Sequence, residues 1–325
     1  MKIAITGGAG FIGTQLAKDL KSQGHEVTLI DLQKSETFPG DSIIADISDV
    51  NAITEATKGM DAIYHLAAEH RDDVSPISRY TDINVEGGKN VIKAAKANGI
   101  NRIIFSSTVA VYPLTPEDPY QGSNESHTPE PFNPYGESKW ESEDTFREWA
   151  EQDKTRSLTI IRLVATFGVG NRGNIYNLIN QIASGKFIMI GNGANQKSIA
   201  YVGNVAAFFA HALGFDKGIH LYNYADKPDL SMHDFVLNCR EALGKSGVGL
   251  RLPYVIGLIG GYTLDIIAKI TGRKFPISTI RVKKFCANTI VNADRVEETG
   301  FTRKYTLAEG LKEMIEGEFK GEGDT

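Results

Sequence analysis

The first half of the chain alternates short apolar runs with longer segments whose apolar residues recur every three or four positions. The short runs are rich in Ile and Val and are bounded by turn residues, which is typical of buried parallel strands. The predicted strands are Lys2–Thr6, Glu26–Asp31, Ser42–Ala45, Ala62–Leu66, Arg102–Ser107 and Ser157–Leu163. The predicted helices are Phe11–Gln23, Ser48–Thr57, Ile77–Asn98 and Tyr135–Glu151. This alternation predicts an α/β fold with a Rossmann-type doubly wound parallel sheet.

The pattern loosens after residue 165 and predicts a smaller mixed α/β C-terminal lobe. Its predicted helices are Asn174–Ser184, Asn204–Leu213, Ser231–Leu243, Tyr254–Ile270 and Leu307–Phe319. Its predicted strands are Phe187–Ile190, Ile219–Tyr224 and Thr289–Asn292. We therefore expect a cofactor-binding domain over residues 1–165 and a substrate-binding lobe over residues 166–325. Some segments of the lobe are expected to return to the main sheet.

Charge argues against a nucleic-acid partner and for a small anion. The 325 residues include 35 Lys or Arg and 40 Asp or Glu, a formal net charge of -5, whereas nucleic-acid binders are normally basic. Residues 271–305 differ, because eight Lys or Arg against three acids give a balance of +5. One basic segment in an acidic protein suits a small diphosphate-bearing ligand. The two cysteines lie far apart and form no pattern typical of a disulfide framework or a metal site.

Neither end of the chain nor its longest apolar run predicts a membrane span. The N-terminus enters a strand directly, without the apolar core and cleavage site of a signal peptide, which predicts a cytoplasmic protein. The run Pro253–Leu264 contains three glycines and meets Asp265, so it is too short to cross a bilayer. The segment Tyr254–Ile270 fits a membrane-surface helix or a helix inside the second lobe, and burial statistics favour the second.

A glycine-rich turn follows the first predicted strand and opens a helix. Gly7, Gly10 and Gly13 form the pattern G-x-x-G-x-x-G, with Phe11 and Ile12 between the last two. Glycines at these positions permit a tight turn, a close approach of the backbone to a pyrophosphate, and close packing of helix on strand. The helix N-terminus then offers free N–H groups to the phosphates. The turn therefore predicts a dinucleotide cofactor.

Acidic residues after the second and third strands refine the identity of that cofactor. Asp31 ends the second strand, 18 residues after Gly13. A carboxylate there binds an adenosine ribose diol and repels a 2′-phosphate, which favours NAD over NADP. Asp46 and Ile47 follow the third strand, where the adenine ring is expected. Asp46 is alternatively the N-cap of the next helix, with Asp49 as the competing cap.

Tyr135 and Lys139 are spaced four residues apart in a predicted helix, which places the phenol and the ammonium on one face. A tyrosine with an ordinary pKa of about 10 is a poor base at neutral pH. A nearby ammonium favours the phenolate, and such a pair can accept or return a hydroxyl proton. Taken alone, the same spacing also fits a surface pair without function.

The fifth predicted strand ends in hydroxyl side chains. Ligands of doubly wound sheets lie at the carboxyl ends of the strands, so Thr108 is placed to hydrogen-bond a reacting hydroxyl or carbonyl. Ser106, as a cofactor contact, and Ser107 are alternatives at the same strand end, or they are ordinary polar strand residues.

These features together resemble the extended short-chain dehydrogenase/reductase superfamily, in particular the NAD-dependent sugar-nucleotide epimerase/dehydratase family. The likeness covers nearly the whole chain, and it implies that Tyr135 is the catalytic acid/base. It also implies that Lys139 lowers the pKa of the Tyr135 phenol and holds the nicotinamide ribose. Thr108 then takes the position of the family's catalytic Ser or Thr. Further matching positions are His65, Leu66, Ala67 and Ala68, of which the last three line the cofactor cleft, Asn84, Arg162 and Tyr201–Ala206.

Departures from the family pattern narrow the expected activity. Val109 and Ala110 stand where dehydratases of the family carry the Asp-Glu pair for water elimination, which argues against a dehydratase. Ala165 replaces an Asn that contacts the nucleotide diphosphate in family epimerases, and Lys197 replaces an Arg. Asn204 replaces an Asp. The substrate half of the site therefore departs more than the cofactor half.

Candidate substrate contacts are scattered and each has an ordinary alternative. A loop after the fourth strand carries residues that fit a phosphate and a sugar hydroxyl but equally fit a solvated loop. The segment before the helix at residue 174 fits substrate contact or helix capping. A proline-rich loop, residues 113–134, is expected to cover the site. The candidates are His70, Arg71, Thr166, Arg172, Lys197 and Arg281, and no metal site is expected.

The resemblance implies an NAD-dependent epimerase acting through a transient ketone, at C4 of a UDP-hexose or N-acetylhexosamine. A net oxidoreductase on a related sugar nucleotide is the alternative, because it would use the same residues. A non-catalytic NAD-sensing protein is a third hypothesis, and the intact Thr108, Tyr135 and Lys139 argue against it. By analogy with the family, a homodimer formed through residues 77–98 and 135–151 is expected.

Overall fold

The computed structural model describes residues 1–71, 74–114, 118, 120–272 and 278–320. Seven parallel strands form the central sheet in the order β11-β6-β5-β4-β1-β2-β3. The strands are β1 Lys2–Thr6, β2 Glu26–Asp31, β3 Ser42–Ile44, β4 Ala62–His65, β5 Arg102–Thr108, β6 Ser157–Leu163 and, after four short strands given below, β11 Gly218–Tyr224. The predicted Rossmann-type sheet is confirmed, and the six strands predicted from the first half are all present.

The order of the strands reverses beside β1, which lies between β2 and β4. From β1 the chain runs outward on one side and then returns to fill the other, so the connections diverge at this point. In open α/β sheets, ligands bind at the carboxyl ends of the strands beside such a switch point. The glycine turn after β1, Asp31 at the end of β2 and Leu66 after β4 all lie there.

Helices cover both faces of the sheet. The helices of the first half are α1 Phe11–Ser22, α2 Val50–Ala56, α3 Ser78–Tyr80, α4 Gly87–Asn98 and α5 Pro134–Glu151. A π-helical segment, Thr81–Glu86, joins α3 to α4, so the predicted helix over residues 77–98 is one continuous rod with a wider turn. Short π segments inside α-helices are frequent at functional sites. This one packs against α5.

The second half adds strand β11 and helix α7, Val202–Ala212, to the main fold and builds a smaller lobe. Helix α7 packs against α1, and the side chain of Tyr64 in β4 donates a hydrogen bond to the Phe209 carbonyl at 3.1 Å. The remaining helices are α6 Asn174–Ala183, α7 Val202–Ala212, α8 Met232–Ala242, α9 Tyr254–Thr271, α10 Thr279–Cys286, α11 Arg295–Glu298 and α12 Leu307–Glu318. The short strands are β7 Ala165–Phe167, β8 Met189–Ile190, β9 Gln196–Lys197, β10 Ile199–Tyr201, β12 Leu230–Ser231 and β13 Arg251–Leu252.

Two expectations for this half are wrong. Residues 289–292 form no strand and make only two isolated bridges, Thr289 with Lys197 and Val291 with Ser123. Helix α9 does not pack inside the lobe, because only Gly257 and Gly261 of its residues are buried. The helix contacts the lobe through its two buried glycines, and most of its larger apolar side chains are exposed to solvent.

The proline-rich loop is attached to the second lobe. Gly122 has a φ of +74°, and a Cβ there would stand 2.2 Å from the Ile290 carbonyl oxygen, so only glycine fits. The Ser123 carbonyl accepts a hydrogen bond from Asn223 at 3.3 Å, and Glu125 accepts one from the Asn223 amide at 2.7 Å. The loop is thereby held between β11 and the segment that follows α10.

Candidate active site

The glycine turn is packed too closely for side chains at two of its three glycines. Gly7 has a φ of +71°, and a Cβ there would stand 2.7 Å from the Ala67 amide nitrogen. A Cβ at Gly13 would stand 2.5 Å from the Gly7 carbonyl oxygen. A side chain at either position would therefore clash with backbone atoms of the turn or of the segment after β4. Gly7, Gly10 and Gly13 lie together as predicted, with Ala67 directly across from them.

The first turn of α1 has backbone N–H groups without intrahelical partners beside the glycine turn. Gly10 is the N-cap residue and supplies no side-chain hydrogen bond, and no acidic residue lies in the first turn. The N–H groups of the opening residues, among them Phe11 and Ile12, are unsatisfied within the helix. An uncapped helix start behind a glycine cradle fits a pyrophosphate, so these residues fit a dinucleotide such as NAD.

Asp31 already performs one task in the fold. Its two carboxylate oxygens accept hydrogen bonds from the Ala9 amide at 3.0 Å and from the Leu32 amide at 2.7 Å. The side chain thus ties the glycine turn to the end of β2. A carboxylate has about four acceptor positions, so two such bonds leave capacity for a ribose diol. Binding of the diol by Asp31 remains a prediction.

The structure decides which of the two aspartates after β3 caps the next helix. Asp49, not Asp46, is the N-cap of α2, because its side chain accepts hydrogen bonds from Asn51 and Ala52. Asp46 is exposed and accepts a hydrogen bond from the Ser48 amide at 2.8 Å. The Ile47 side chain is buried beneath Gly87 of α4. Contact of Ile47 with an adenine ring remains a prediction.

Helix α5, which carries Tyr135 and Lys139, approaches the turn after β5 very closely. A Cβ at Gly136 would stand 2.2 Å from the Ala110 carbonyl oxygen, so a glycine is required next to Tyr135. Thr108 has only 8% of its surface exposed, and its hydroxyl accepts a hydrogen bond from the Ala110 amide at 3.1 Å. Asn133 caps the helix through the Gly136 amide. The structure thus brings together the predicted Thr108 and Tyr135 segments.

A buried asparagine of the π segment connects three parts of the site. Asn84 accepts a hydrogen bond from the Glu69 amide at 2.8 Å and donates one to the Ser138 hydroxyl, also at 2.8 Å. Ser138 in turn donates to the Tyr135 carbonyl, and Ser142 donates to the Asn84 carbonyl. Asn84 therefore fixes the turn of α5 that carries Tyr135. Ser138 was not predicted, although it lies three residues after Tyr135 on the same helix.

Lys139 is almost fully buried, with 2% of its surface exposed. Its ammonium lies 4.1 Å from the centre of the Phe105 ring, a cation–π contact. Burial lowers the pKa of Lys139 to about 7, while the charge of Glu143 acts in the opposite direction. Burial therefore makes the ammonium form of Lys139 less favoured than it is in water, and the nearby carboxylate of Glu143 partly restores it.

A buried ionic network stands behind Lys139. Glu143 accepts hydrogen bonds from Arg162 at 2.7 and 2.8 Å and from the Ser107 hydroxyl at 2.6 Å. Arg162 donates to the Tyr112 hydroxyl at 2.7 Å, which donates to Asn223. The network joins α5 to β5, β6 and β11, and it makes Ser107 a structural residue. Glu143 was missed, although it follows Lys139 at the spacing that separates Lys139 from Tyr135.

Ser106 and the residues after β4 line the same edge of the sheet. Ser106 is half-buried near the end of β5. Leu66, Ala67 and Ala68 are half-buried, and the Leu66 amide donates to the Thr6 carbonyl at 3.0 Å. Of these positions, Ala67 lies directly against Gly7 of the glycine turn. Their contacts with a cofactor remain predictions.

The loop after β4 does not offer a free cation. Arg71 is bound to the carboxylate of Glu69 at 3.1 Å, and Arg79 binds the same carboxylate at 3.4 Å. The hydrogen bonds from Arg71 lower the pKa of Glu69. His70 is exposed on this loop. Asp72 and Asp73 lie outside the described residues.

The candidates of the second lobe are mostly engaged elsewhere. Arg172 pairs with Glu318 of α12. The Lys197 ammonium donates to the carbonyls of Lys284 and Ala287 at the end of α10, and burial lowers its pKa. Both side chains therefore hold the lobe together in this structure. Thr166 donates to the Val164 carbonyl, and Arg281 lies exposed in α10. Substrate contact by these residues remains a prediction.

Asn204 has a structural task that accounts for its departure from the family pattern. The Asn204 side chain donates to the Tyr305 carbonyl at 2.8 Å and accepts from the Lys304 and Tyr305 amides at 3.0 Å. An ionised aspartate could not donate, so asparagine suits this position better.

The structure offers no metal site in the part of the chain that it describes. Among those residues, no cluster of three His, Cys, Asp or Glu side chains is placed to hold a metal ion.

Known proteins are similar to this chain in sequence and in fold. Residues 3–225 match the NAD dependent epimerase/dehydratase family. The chain is 46% identical to the N-acetyl-alpha-D-glucosaminyl-diphospho-ditrans,octacis-undecaprenol 4-epimerase of Escherichia coli O157:H7, over 98% of this chain and 95% of that protein. It is 26% identical to the UDP-glucose 4-epimerase of Vibrio cholerae, over 97% and 98% of the two chains. The UDP-glucose 4-epimerase of Thermus thermophilus, solved in complex with NAD, has a TM-score of 0.75 at 21% identity, covering 98% of each chain.

Proposed function

The chain belongs to the NAD-dependent epimerase/dehydratase family, and from this premise we propose that it is a 4-epimerase of an N-acetylhexosamine carried on a diphosphate. The cofactor is NAD. The observation that carries the proposal is a complete acid/base centre, Thr108, Tyr135 and Lys139, without acids at residues 109 and 110. Such a centre can oxidise and reduce a carbinol, but it lacks groups for eliminating water.

The protein's own residues divide the work as follows. Tyr135 removes the proton of the 4-hydroxyl and later returns a proton to the same oxygen. Lys139, buried behind it, stabilises the phenolate as a cation. Thr108 holds the reacting oxygen by a hydrogen bond. NAD held at the glycine turn would supply the hydride acceptor for C4 and, in the reverse direction, the hydride donor. Because oxidation and reduction would balance, such a centre can invert C4 with no net oxidation.

We propose a polyprenol as the second substituent of the diphosphate, because the relative with 46% identity is named for such a substrate. Ala165, at the position where a nucleotide contact was expected, is exposed and offers no hydrogen bond from its side chain. A nucleoside in that place is the second candidate, which the UDP-sugar epimerase among the relatives favours. Both substrates present the same sugar diphosphate to the acid/base centre.

A paired assay tests the proposal. The purified protein is incubated with polyprenyl-diphospho-N-acetylglucosamine in detergent and, separately, with UDP-N-acetylglucosamine, and the sugars are analysed after mild acid hydrolysis. We expect N-acetylgalactosamine from the first substrate, without consumption of added NAD. Formation of the epimer from UDP-N-acetylglucosamine alone would show that the second substituent of the diphosphate is a nucleoside and not a polyprenol. Stoichiometric NADH formation, or no epimer from either, would contradict the proposed epimerisation.

Replacing Tyr135 by Phe tests the assignment of the acid/base. The change removes only the hydroxyl, so we expect turnover to fall by roughly 10²–10⁴-fold, the usual contribution of a positioned proton-transfer group. NAD affinity, measured by fluorescence titration, should change little because the glycine turn is untouched. Tyr112→Phe is the comparison variant. It removes a buried hydroxyl that belongs to the Arg162 network and not to the acid/base centre, so it should lower turnover far less. Near-normal turnover of Tyr135→Phe would remove Tyr135 from the mechanism.

We also propose a homodimer formed through α4 and α5, as family analogy suggests. The molar mass in solution, measured by light scattering, tests it. A monomer at micromolar concentration would contradict this arrangement.

A further inference from the structure

Helix α9 shows its bulky apolar side chains to solvent. Val255, Ile259, Tyr262, Ile266 and Ile270 follow each other at helical spacing along one face. Their exposed fractions are 63%, 61%, 56%, 59% and 78%. We call these five residues the outer face of α9. A surface helix of a globular protein normally turns its apolar stripe inward, so this arrangement is reversed.

The opposite face of α9 explains how the helix is held in this orientation. Gly257 and Gly261 are buried, and a Cβ at Gly261 would stand 2.8 Å from the Thr279 amide nitrogen. A Cβ at Gly257 would stand 2.6 Å from the Ile190 side chain. The small residues thus dock the helix closely on β8 and the start of α10. The bulky face is therefore fixed outward by packing and is not a frayed end.

The single acid of α9 is withdrawn from the outer face. Asp265 accepts a hydrogen bond from the Thr279 amide at 3.0 Å, at the start of α10. The sequence from 254 to 286 contains one acid against six Lys or Arg, a balance of +5. Lys269, Arg281, Lys283 and Lys284 are exposed or half-buried in the described part of this segment. Arg273 and Lys274 lie outside the described residues. The helix α9 and the helix α10, which packs against it, thus carry exposed cations at four described positions and one acid, which is engaged.

We propose that the outer face of α9 binds the surface of an anionic lipid bilayer, with the helix lying in the plane of the membrane. Interfacial helices combine an apolar face with flanking Lys and Arg, and the cations add affinity for anionic lipids. Tyr262 is suited to the headgroup level. By length and composition alone α9 could cross a membrane, so the expectation that this segment is too short is wrong. Its docking on the lobe through Gly257 and Gly261 favours a helix that lies in the membrane plane.

Charge decides between a bilayer and a second copy of the chain as the occupant. Two copies joined through this face by a two-fold axis would bring two segments of balance +5 together. Lipid phosphates neutralise the same cations. The lipid surface is therefore the occupant to which this combination of apolar and basic residues is complementary.

Vesicle flotation of the full-length protein tests the proposal without any substrate, so its result is independent of the proposed epimerisation. We expect binding to vesicles of phosphatidylcholine with about 30% phosphatidylglycerol, and weaker binding to phosphatidylcholine alone. Ile266→Glu should reduce the partition coefficient at least about tenfold. Ile44→Glu, at an isoleucine that is 66% exposed on edge strand β3, is the matched control and should bind as the wild type does.

A double substitution that removes two positive charges of α10 tests the contribution of the basic residues separately. Lys283→Gln with Lys284→Gln should weaken binding to the anionic vesicles several-fold, whereas Lys154→Gln with Lys217→Gln, also exposed, should not. Wild-type protein that never floats with lipid would overturn the proposal. So would equal binding by Ile266→Glu. A change from dimer to monomer in Ile266→Glu without lipid binding would assign the face to a contact between copies.

Discussion

Asp31 shows how one side chain serves the fold and the cofactor at once. Its carboxylate holds the Ala9 amide of the glycine turn, and its remaining acceptor positions are predicted to bind the adenosine ribose. Replacing it by Ala should weaken NAD binding and improve the relative affinity for NADP, because the charge that repels a 2′-phosphate is gone. The ratio of the two dissociation constants, from fluorescence titration, measures the effect.

The Asp31→Asn variant separates the two tasks of this residue. Asparagine keeps an acceptor for the Ala9 amide but carries no charge. It should therefore retain more NAD affinity than Asp31→Ala while showing a similar change in the NAD/NADP ratio. An unchanged ratio in both variants would show that Asp31 does not select the cofactor.

The buried Lys139 gives a pH dependence with a definite sign. Burial lowers its pKa in the folded protein to about 7, against 10.5 when unfolded. Between these values the unfolded chain holds one more proton, so the free energy of unfolding contributed by this group rises with pH. Compared with Lys139→Met, the wild-type protein without cofactor should gain stability from about pH 7.5 to 9.5, by at most about 1.4 kcal/mol per pH unit.

Urea denaturation at several pH values checks this, and the difference between the two proteins is the quantity of interest. Lys93→Met, at an exposed lysine of α4, is the control and should follow the wild type. Parallel curves for the wild type and Lys139→Met would mean that Lys139 keeps its proton in the fold.

At the scale of residues, the sequence was sufficient where chemistry and local spacing coincide. The glycine turn and the spacing of Tyr135 and Lys139 are local patterns, so they could be identified without a structure. The partners of Arg71, Arg172 and Lys197 could not, because each is bound by groups distant along the chain or by a neighbouring loop acid. A cation in a sequence shows charge, and only the fold shows whether that charge is already engaged.

At the scale of elements, the start of α5 depends on one glycine. Gly136 lets the helix meet the turn after β5, since a Cβ would stand 2.2 Å from the Ala110 carbonyl oxygen. Gly136→Ala should push Tyr135 away from Thr108 and lower kcat by at least about tenfold, while NAD affinity is retained, because misplacement of a proton-transfer group is costly.

Gly40→Ala is the matched control for this change, because an added methyl there meets no atom within 4 Å. It should leave kcat unchanged. Assays of kcat and NAD titration on both variants are the measurements. Equal kcat in Gly136→Ala and the wild type would show that the backbone relaxes without moving the phenol.

Elements were predictable in proportion to their length and periodicity. Strands of the main sheet are continuous apolar runs with turn residues at their ends, and β1, β2 and β6 have the predicted bounds. Five two-residue or three-residue strands of the second lobe, β7, β9, β10, β12 and β13, were not predicted. Such strands owe their pairing to contacts between distant segments and carry no periodic signal.

At the scale of the whole molecule, the chain cannot be cut at residue 165 into two independent parts. Strand β11 of the second half pairs with β6 along its full length. The Phe208 ring of α7 is fully buried and lies 5.0 Å from the Tyr224 ring and 5.2 Å from the Phe301 ring. The same apolar core contains Ile3 and Leu16 from the first half. The halves therefore share one core.

Sharing of the core predicts how NAD affects unfolding. A ligand that binds only the folded state stabilises whatever unfolds together with its site, by about 2.7 kcal/mol at roughly 100 times its dissociation constant. We expect NAD to raise a single melting transition by roughly 5 °C. Tryptophan fluorescence reports on Trp140 and Trp149 of α5, and far-UV circular dichroism on all helices. Coincident shifts in both signals are expected. A second circular-dichroism transition that NAD leaves unmoved would show that the second lobe unfolds by itself.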